Sequence, residues 1–516
     1  MKFLMFFCLL FAVMQTSWAQ AVGTPYIGYV AKPAPPSSTM GNDFWVAFEN
    51  DLNMTYSSVY LALNIAAQLP TTVTISFTAN NDTFTYALAA GVSTRIDLSQ
   101  MKTGATTFTT TGNGDERAIV YLDTTAGLFN KTMHITSTQP VAVYAFDTYS
   151  AATDATVVYP IASWGTDYYQ ISYQPLNTTT FPNYGVSNEI IIANQDKTII
   201  TLSDNTTRTL NKGDIYVTNS GIADITGRHL SSTVPVSYFA GSQGFYVPNS
   251  IQAADVLFEQ MSPDKVWDKQ YFVPNVPQFT DPSVTTNDRI RVVASQNGTE
   301  VTYQGASLPA TTPAGSTTTG NTVIGNGGKQ TLNAGQWVEL VINSSTNTGG
   351  AFITANNPIG VAGYMVGGSS STTPISSGNT GDPDHAIMPG LNQMIQQVTI
   401  SPFMFTIGSN LAYTNFDDNN SVIHGAIILT KKENKGSVIM TKGSDPTNLL
   451  TGTWIDDTNG SGMSSYYYVF DNTADLGSSF TISSLVNGGG LLVLCYGLAW
   501  YESYYYNAGS GAYSLQ

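Results

Sequence analysis

Short runs in which apolar, often β-branched residues alternate with polar ones recur along the chain. Examples are Thr72-Val73-Thr74-Ile75, Ile199-Ile200-Thr201-Leu202, Glu300-Val301-Thr302-Tyr303 and Ser437-Val438-Ile439-Met440. A period of two, with β-branched residues on the apolar positions, predicts half-buried β-strands. A longer pattern recurs with them: Ile135-Thr136-Ser137-Thr138-Gln139-Pro140-Val141-Ala142-Val143-Tyr144, Leu230-Ser231-Ser232-Thr233-Val234-Pro235-Val236-Ser237-Tyr238-Phe239 and Ile353-Thr354-Ala355-Asn356-Asn357-Pro358-Ile359-Gly360-Val361-Ala362. Each predicts a strand, a polar turn closed by proline, and a second strand that the proline opens. Ile482-Ser483-Ser484 followed by Leu491 to Tyr496 is a degenerate fourth copy.

Between these lie glycine-turned strands, Leu210 to Val217 and Leu332 to Leu340. Pro160, Trp164 and Tyr168 share their spacing with Pro263, Trp267 and Tyr271, whereas the third copy keeps Pro389 and loses the tryptophan. Units of about 100 to 130 residues are too long for propeller blades and fit β-sandwich modules. The expected fold is therefore all-β, with about four tandem β-sandwich-like repeats and no propeller. The expected division is a signal peptide over 1–19, a linker over 20–41 and modules over 42–175, 176–277, 278–402 and 403–516. The Thr/Ser/Gly/Pro stretches Ala310 to Asn321 and Gly367 to Asn379 read as long mobile loops, with O-glycosylation an alternative. Trp164 and Trp267 read as core anchors.

The start of the chain changes the compartment. Lys2, the apolar run Phe3 to Met14 and the small residues of Ser17-Trp18-Ala19 predict a secretory signal peptide cleaved after Ala19. The later apolar stretch Gly488 to Tyr501 is too short to span a bilayer, and nothing at the end resembles a lipid-anchor signal. Removal of the signal takes Cys8 and leaves Cys495, within Leu491 to Tyr496, read as a buried thiol with intermolecular pairing as the alternative. A formal net charge of −16 with charged residues at 10% argues against nucleic acid and against anionic membrane surfaces. Asn-x-Ser/Thr sequons at Asn53, Asn81, Asn130, Asn177, Asn205, Asn297, Asn343, Asn419 and Asn459 are candidate N-glycosylation sites along the whole length.

Catalytic and cofactor motifs are missing, and no cofactor is expected. There is no Gly-x-Ser-x-Gly elbow, and Gly325 to Gln330 lacks the phosphate-loop spacing and reads as a turn. His134, His229, His385 and His424 are scattered at no metal-ligand spacing, so no metal residue is assigned. Asp417-Asp418-Asn419-Asn420 and Asp456-Asp457-Thr458-Asn459-Gly460 lack a spaced Ca²⁺ loop and read as Asx-rich turns. Tyr466 to Tyr468 and Tyr501, Tyr504, Tyr505 and Tyr506 are either a binding face or, the favoured reading, residues packing alternately in and out along strands.

Gly41-Asn42-Asp43-Phe44-Trp45-Val46-Ala47-Phe48, then Thr138 to Ala145, Asp154 to Pro160 and Trp164-Gly165-Thr166-Asp167-Tyr168-Tyr169 in this order resemble the N-terminal domain of the IgGFc-binding protein family. The resemblance covers about residues 41–500 and is densest at the start. It implies an extracellular protein of mucus, matrix or surface coats. Cysteine-dense von Willebrand-type modules, which often follow this domain, are missing here, so disulfide-linked polymerisation does not carry over. Antibody-Fc binding does not carry over either, because no short motif for it maps onto these positions. Gly381-Asp382-Pro383-Asp384-His385 resembles the self-cleaving Gly-Asp-Pro-His of those modules with one aspartate inserted, and a structural loop is the favoured reading.

The expected function is that of a secreted glycoprotein, a structural or adhesive component of mucus or matrix that is not an enzyme. Its candidate partners are extracellular proteins or glycans, with self-association a further option. A lectin-like defence protein is the alternative. A carbohydrate-active hydrolase is the weaker one, since it needs two carboxylates facing each other about 5 to 10 Å apart in a cleft.

Overall fold

In a computed structural model the chain is described over residues 39–101, 115–123, 125–149, 152–176, 185–251, 253–277, 287–318, 320–343, 349–367, 381–403, 423–471, 474–475, 477–486, 489–499 and 502–511. The signal segment, nearly all of the 20–41 linker, Asn177, Asn419, the Asp417 to Asn420 cluster, nearly all of Gly367 to Asn379 and Tyr501 lie outside the described residues.

The proline-centred pattern forms single long strands, Met133–Tyr149, His229–Phe245 and Gly350–Met365, and each organises one antiparallel sheet. In the first sheet, Thr71–Phe77 pairs with the early half of the long strand and Tyr60–Ala67 with the late half. Met40–Val46 pairs with both halves, and its register jumps there: Gly41 faces Val141, but Asp43 faces Thr136. The same jump occurs opposite Pro235 and Pro358. A proline has no N–H to give the ladder, so the extra residues bulge out and the strand turns from one sandwich layer into the other. Burial follows the turn. The early half alternates buried and part-exposed residues, whereas Val141 to Thr148 is buried throughout, with both faces covered. That explains why the sequence after each proline changes from alternation to a nearly continuous apolar run.

The fourth copy shows the two layers separately. Its long strand is broken into Phe480–Ser484 and Leu491–Ala499, and the sheet divides into a three-stranded and a five-stranded layer. The architecture is thus all-β and built of tandem sandwich-like sheets, as the repeats predict. Gly165–Tyr169, Asp268–Pro274 and Gln397–Ile400 pair into the second, third and fourth of these sheet systems. On that pairing we propose repeat units opening at Gly165, Asp268 and Gln397, ahead of the edges expected at 176, 278 and 403.

The Pro–Trp–Tyr spacing has a structural cause. Pro160 opens a one-turn 3₁₀ helix, Ile161–Ser163, and packs over Gly41, where a Cβ would lie 2.4 Å from the proline ring. Trp164 donates its indole N–H to the Tyr159 carbonyl at 3.0 Å and is buried. Four residues on, the Tyr168 hydroxyl accepts the Gly165 N–H at 2.8 Å and donates to the Val236 carbonyl at 2.6 Å, next to Pro235 of the following long strand. Pro263, Trp267 and Tyr271 repeat this arrangement, with the Tyr271 hydroxyl between the Asp268 N–H (2.9 Å) and the Ile359 carbonyl (2.7 Å). Each motif therefore couples the entry of one sheet to the bend in its own long strand.

Arg291 joins the second and third sheet systems. Fully buried, it donates to Glu339 at 3.1 Å, to the Ser172 carbonyl at 2.7 Å, to Asp224 at 2.8 Å and to Thr226 at 2.8 Å. Its guanidinium lies between the rings of Tyr173 and Trp337, at 3.9 and 4.2 Å. The Ala310 to Asn321 stretch, expected as a mobile loop, is tied here too: Thr317 donates to the Trp337 carbonyl at 2.7 Å, and Ser316 accepts the Glu339 N–H at 3.0 Å.

Two outcomes follow. Tyr271→Phe leaves the Asp268 N–H and the Ile359 carbonyl short of a partner and should cost about 1–3 kcal/mol, read as a lower urea midpoint at unchanged slope. Arg291→Ala takes the 3.1 Å partner from buried Glu339, which keeps Arg289 at 3.7 Å, and the 2.8 Å partner from Asp224, and should cost about 3–5 kcal/mol in the same measurement.

Candidate functional site

The last strand of each sheet system, Ala152–Val158, Asp255–Gln260, Asp384–Ile387 and Glu502–Gly509, pairs with its long strand on one edge only. Along the other side these four strands contact one another in cyclic order, the fourth returning to the first. A buried strand edge without a ladder partner leaves N–H groups that must find acceptors elsewhere. Side chains of the neighbouring repeats supply them. Asp255 accepts the Thr153 N–H at 2.5 Å, and Asp154 accepts that of Phe258. Thr156 accepts Gln260 N–H at 2.9 Å, and the Gln260 carboxamide accepts Tyr159 N–H at 2.6 Å. Glu259 accepts Ile387 N–H at 3.0 Å, and Ser503 accepts Asp382 N–H at 2.9 Å.

The cost of this stitching is a closed acidic centre. Asp154, Asp255, Glu259, Asp382 and Asp384 are all buried, the most exposed of them at 4%. Desolvation raises every one of these carboxyls above the usual range, Glu259 and Asp382 each to about 8. Mutual repulsion adds to it at Asp154, Asp255 and Asp384. Asp154 and Asp384 approach closely enough to share a proton. Beside them sits His385, stacked on Tyr364 at 5.3 Å and held neutral by burial, which brings it down to about 3. Asp154, Asp384 and His385 each offer one ligand atom, and the three atoms lie within 4.8 Å of one another. The acidic region continues into Glu49, Asp51 and Asp147, where Glu49 is raised to about 7 by burial while accepting from the Asn50 N–H and the Asn188 side chain at 2.8 Å.

Sequence reasoning touched this centre twice without joining the pieces, through Asp154 to Pro160 and through Gly381 to His385. Asp255 went unnoticed. The available signal was an aspartate at or near the start of the strand after each of the first three long strands: Asp154, Asp255 and Asp384.

Elsewhere the candidates separate. Asn53, Asn81, Asn130, Asn205, Asn297 and Asn343 are exposed, and Asn53, Asn81 and Asn205 sit at positive φ in turns. Asn459 is half-buried, its side-chain N–H donated to the Gly350 carbonyl at 2.9 Å. Asp457 makes the expected Asx turn, accepting from Asn459 and Ser461, while Asp456 pairs with Lys432 and Lys435. Gly325 and Asn326 turn a hairpin. Cys495 is a buried free thiol, raised to about 12 by desolvation. Tyr504, Tyr505 and Tyr506 are all buried rather than alternating, because both faces of their strand are covered; Tyr466 is buried, and Tyr467 and Tyr468 half-buried. His134 stacks on Trp45 at 4.1 Å and bonds Asp43 at 2.7 Å. His229 lies beside Tyr169 and Asp167 in the same relation, on an open groove of about 530 Å³ also lined by Asn205, Arg228 and Gly335. His424 bonds Tyr504 in the core.

Gln260→Leu removes the acceptor of the Tyr159 N–H and a 2.7 Å donor to Ser237. It should lower stability by about 1–3 kcal/mol in urea unfolding without altering the secondary structure seen by circular dichroism.

Compared with known proteins, a family model described as IgGFc binding protein matches residues 154–497, about two thirds of the chain. No curated protein matches. The match runs from the first aspartate of the acidic centre through the three later sheet systems, and it agrees with the resemblance carried by Asp154 to Pro160 and Trp164 to Tyr169. The chain belongs to the IgGFc-binding protein family.

Proposed function

We propose that the protein is a secreted glycoprotein that binds extracellular proteins or glycans as an adhesive or structural component of mucus or matrix. The family match over residues 154–497 carries this reading. Two features of the molecule support it. The described sequons other than Asn459 are exposed, where a glycan can point to solvent. No helix among the described residues is long and apolar enough to cross a membrane. The groove at Tyr169 and His229 favours a second reading within the same class, lectin-like recognition, because an aromatic face beside polar groups suits a sugar ring. The carboxylates that come together among the described residues, Asp154, Asp255, Glu259, Asp382 and Asp384, are buried and not set in an open cleft of the kind glycoside hydrolysis uses.

Protein collected from the medium of a eukaryotic host should lose mass on treatment with an N-glycosidase, and peptide mapping should find glycan at Asn81 and Asn205 but not at Asn459. On immobilised mucin glycans, matrix proteins and immunoglobulin Fc, interferometry should detect binding without turnover. Tyr169→Ala should weaken any glycan binding at least tenfold. Unchanged mass together with no binding to any member of this panel would overturn the reading.

A further inference from the structure

We propose that Asp154, Asp384 and His385 hold a divalent metal ion between the last strands of the first and third sheet systems, tying the repeats together at their common centre. The first support is geometric. Metal–oxygen and metal–imidazole bonds of about 2.0–2.2 Å place ligand atoms on one ion roughly 3 to 4.4 Å apart. The three ligand atoms already lie within 4.8 Å of one another, so small side-chain rotations suffice.

The second is the state of the donors. His385 is fully buried, yet neither ring nitrogen has a hydrogen-bond partner. The free oxygens of Asp384, Asp255 and Glu259 likewise lack one, although the other oxygen of each is used to hold a backbone N–H. A buried imidazole with both nitrogens unserved forfeits about 1–3 kcal/mol for each, and the lone pair of one nitrogen donated to a metal would recover one of these. A proton shared between Asp154 and Asp384 accounts for those two carboxyls and leaves His385 without a role. A metal ion accounts for all three.

Charge is the third. Asp154, Asp255, Asp384 and Glu259 accept from the backbone N–H groups of Thr153, Ala155, Val256, Phe258, His385 and Ile387, with the Thr156 hydroxyl also at Glu259, and among the described residues no lysine or arginine forms an ion pair with these carboxylates. Arg291, the buried cation of this region, is committed to Asp224 and Glu339. Carboxylates buried without a counter-charge cost several kcal/mol each. The donor set also narrows the ion. Ca²⁺ takes oxygen ligands alone, while two carboxylates with an imidazole suit Zn²⁺ or Mn²⁺. Asp255 and Glu259 stand beside the set on the second strand, where their free oxygens can orient a ligand or complete the shell.

Because the site is closed, the test starts from the full-length chain unfolded in denaturant with chelator and refolded with Zn²⁺, Mn²⁺ or Ca²⁺, or with no metal. The expected result is one equivalent of Zn²⁺ or Mn²⁺ per chain by plasma mass spectrometry, and a Tm several degrees above the metal-free protein. Co²⁺ refolded into the site should show visible ligand-field absorption, and that band should be lost in His385→Ala. X-ray absorption on the wild-type metal protein reads the imidazole directly, so the proposal stays testable if His385→Ala fails to fold. An equal Tm with and without metal and no bound ion would show a shared proton instead and overturn it. So would a bound ion whose shell contains oxygen only.

Discussion

Everything at the centre of this molecule follows from one unmet need of the backbone. Four strands approach one another sideways without forming a ladder, so their inward N–H groups have no carbonyl to face. Acceptors must come from side chains, and short acidic and amide groups are the ones that reach an adjacent strand from a Cβ. Asp154, Asp255, Glu259 and Gln260 are buried for that reason. Each interaction is local, but because acceptor and donor belong to different repeats, the stitching also fixes how the repeats dock.

The protein handles buried charge in two contrasting ways. Around Arg291 both signs are present, the guanidinium is sandwiched by rings, and Glu339 on its own sheet is joined by Asp224, Thr226 and the Ser172 carbonyl of the preceding sheet system. Such a cluster is balanced within itself and serves as a specific lock between neighbours. The acidic centre has one sign only. Asp255 and Asp384 satisfy backbone donors with one oxygen and leave the other unserved, and desolvation together with the neighbouring carboxylates raises their proton affinity. The apolar sandwiches on all sides carry that burden, since each fully buried Val, Ile or Leu contributes about 1.5–3 kcal/mol.

Much of the fold was legible because it depends on short-range patterns. A proline between an alternating and a continuous apolar run marked each long strand, and the equal spacing of Pro160–Trp164–Tyr168 and Pro263–Trp267–Tyr271 announced a repeated structure. The partners of that motif were not legible: the Tyr168 hydroxyl reaches Val236, 68 residues away, and no local periodicity encodes that pairing. The acidic centre was hidden for the same reason. Asp154 and Asp384 are 230 positions apart, and only the cyclic contact of four strands brings them together. Tyr504 to Tyr506 failed the alternation rule because that rule assumes one wet face, and this strand has none.

The contact between the first and fourth sheet systems closes with the Thr39 N–H donated to the Ser510 carbonyl at 3.1 Å, and Phe146 stacks on Phe403 at 3.8 Å beside it in the same seam. With those two backbone positions side by side, the covalent order of the repeats becomes a matter of bookkeeping more than of architecture. A circular permutant that joins the chain there and opens it in a turn between two other sheet systems would preserve every non-covalent contact described above.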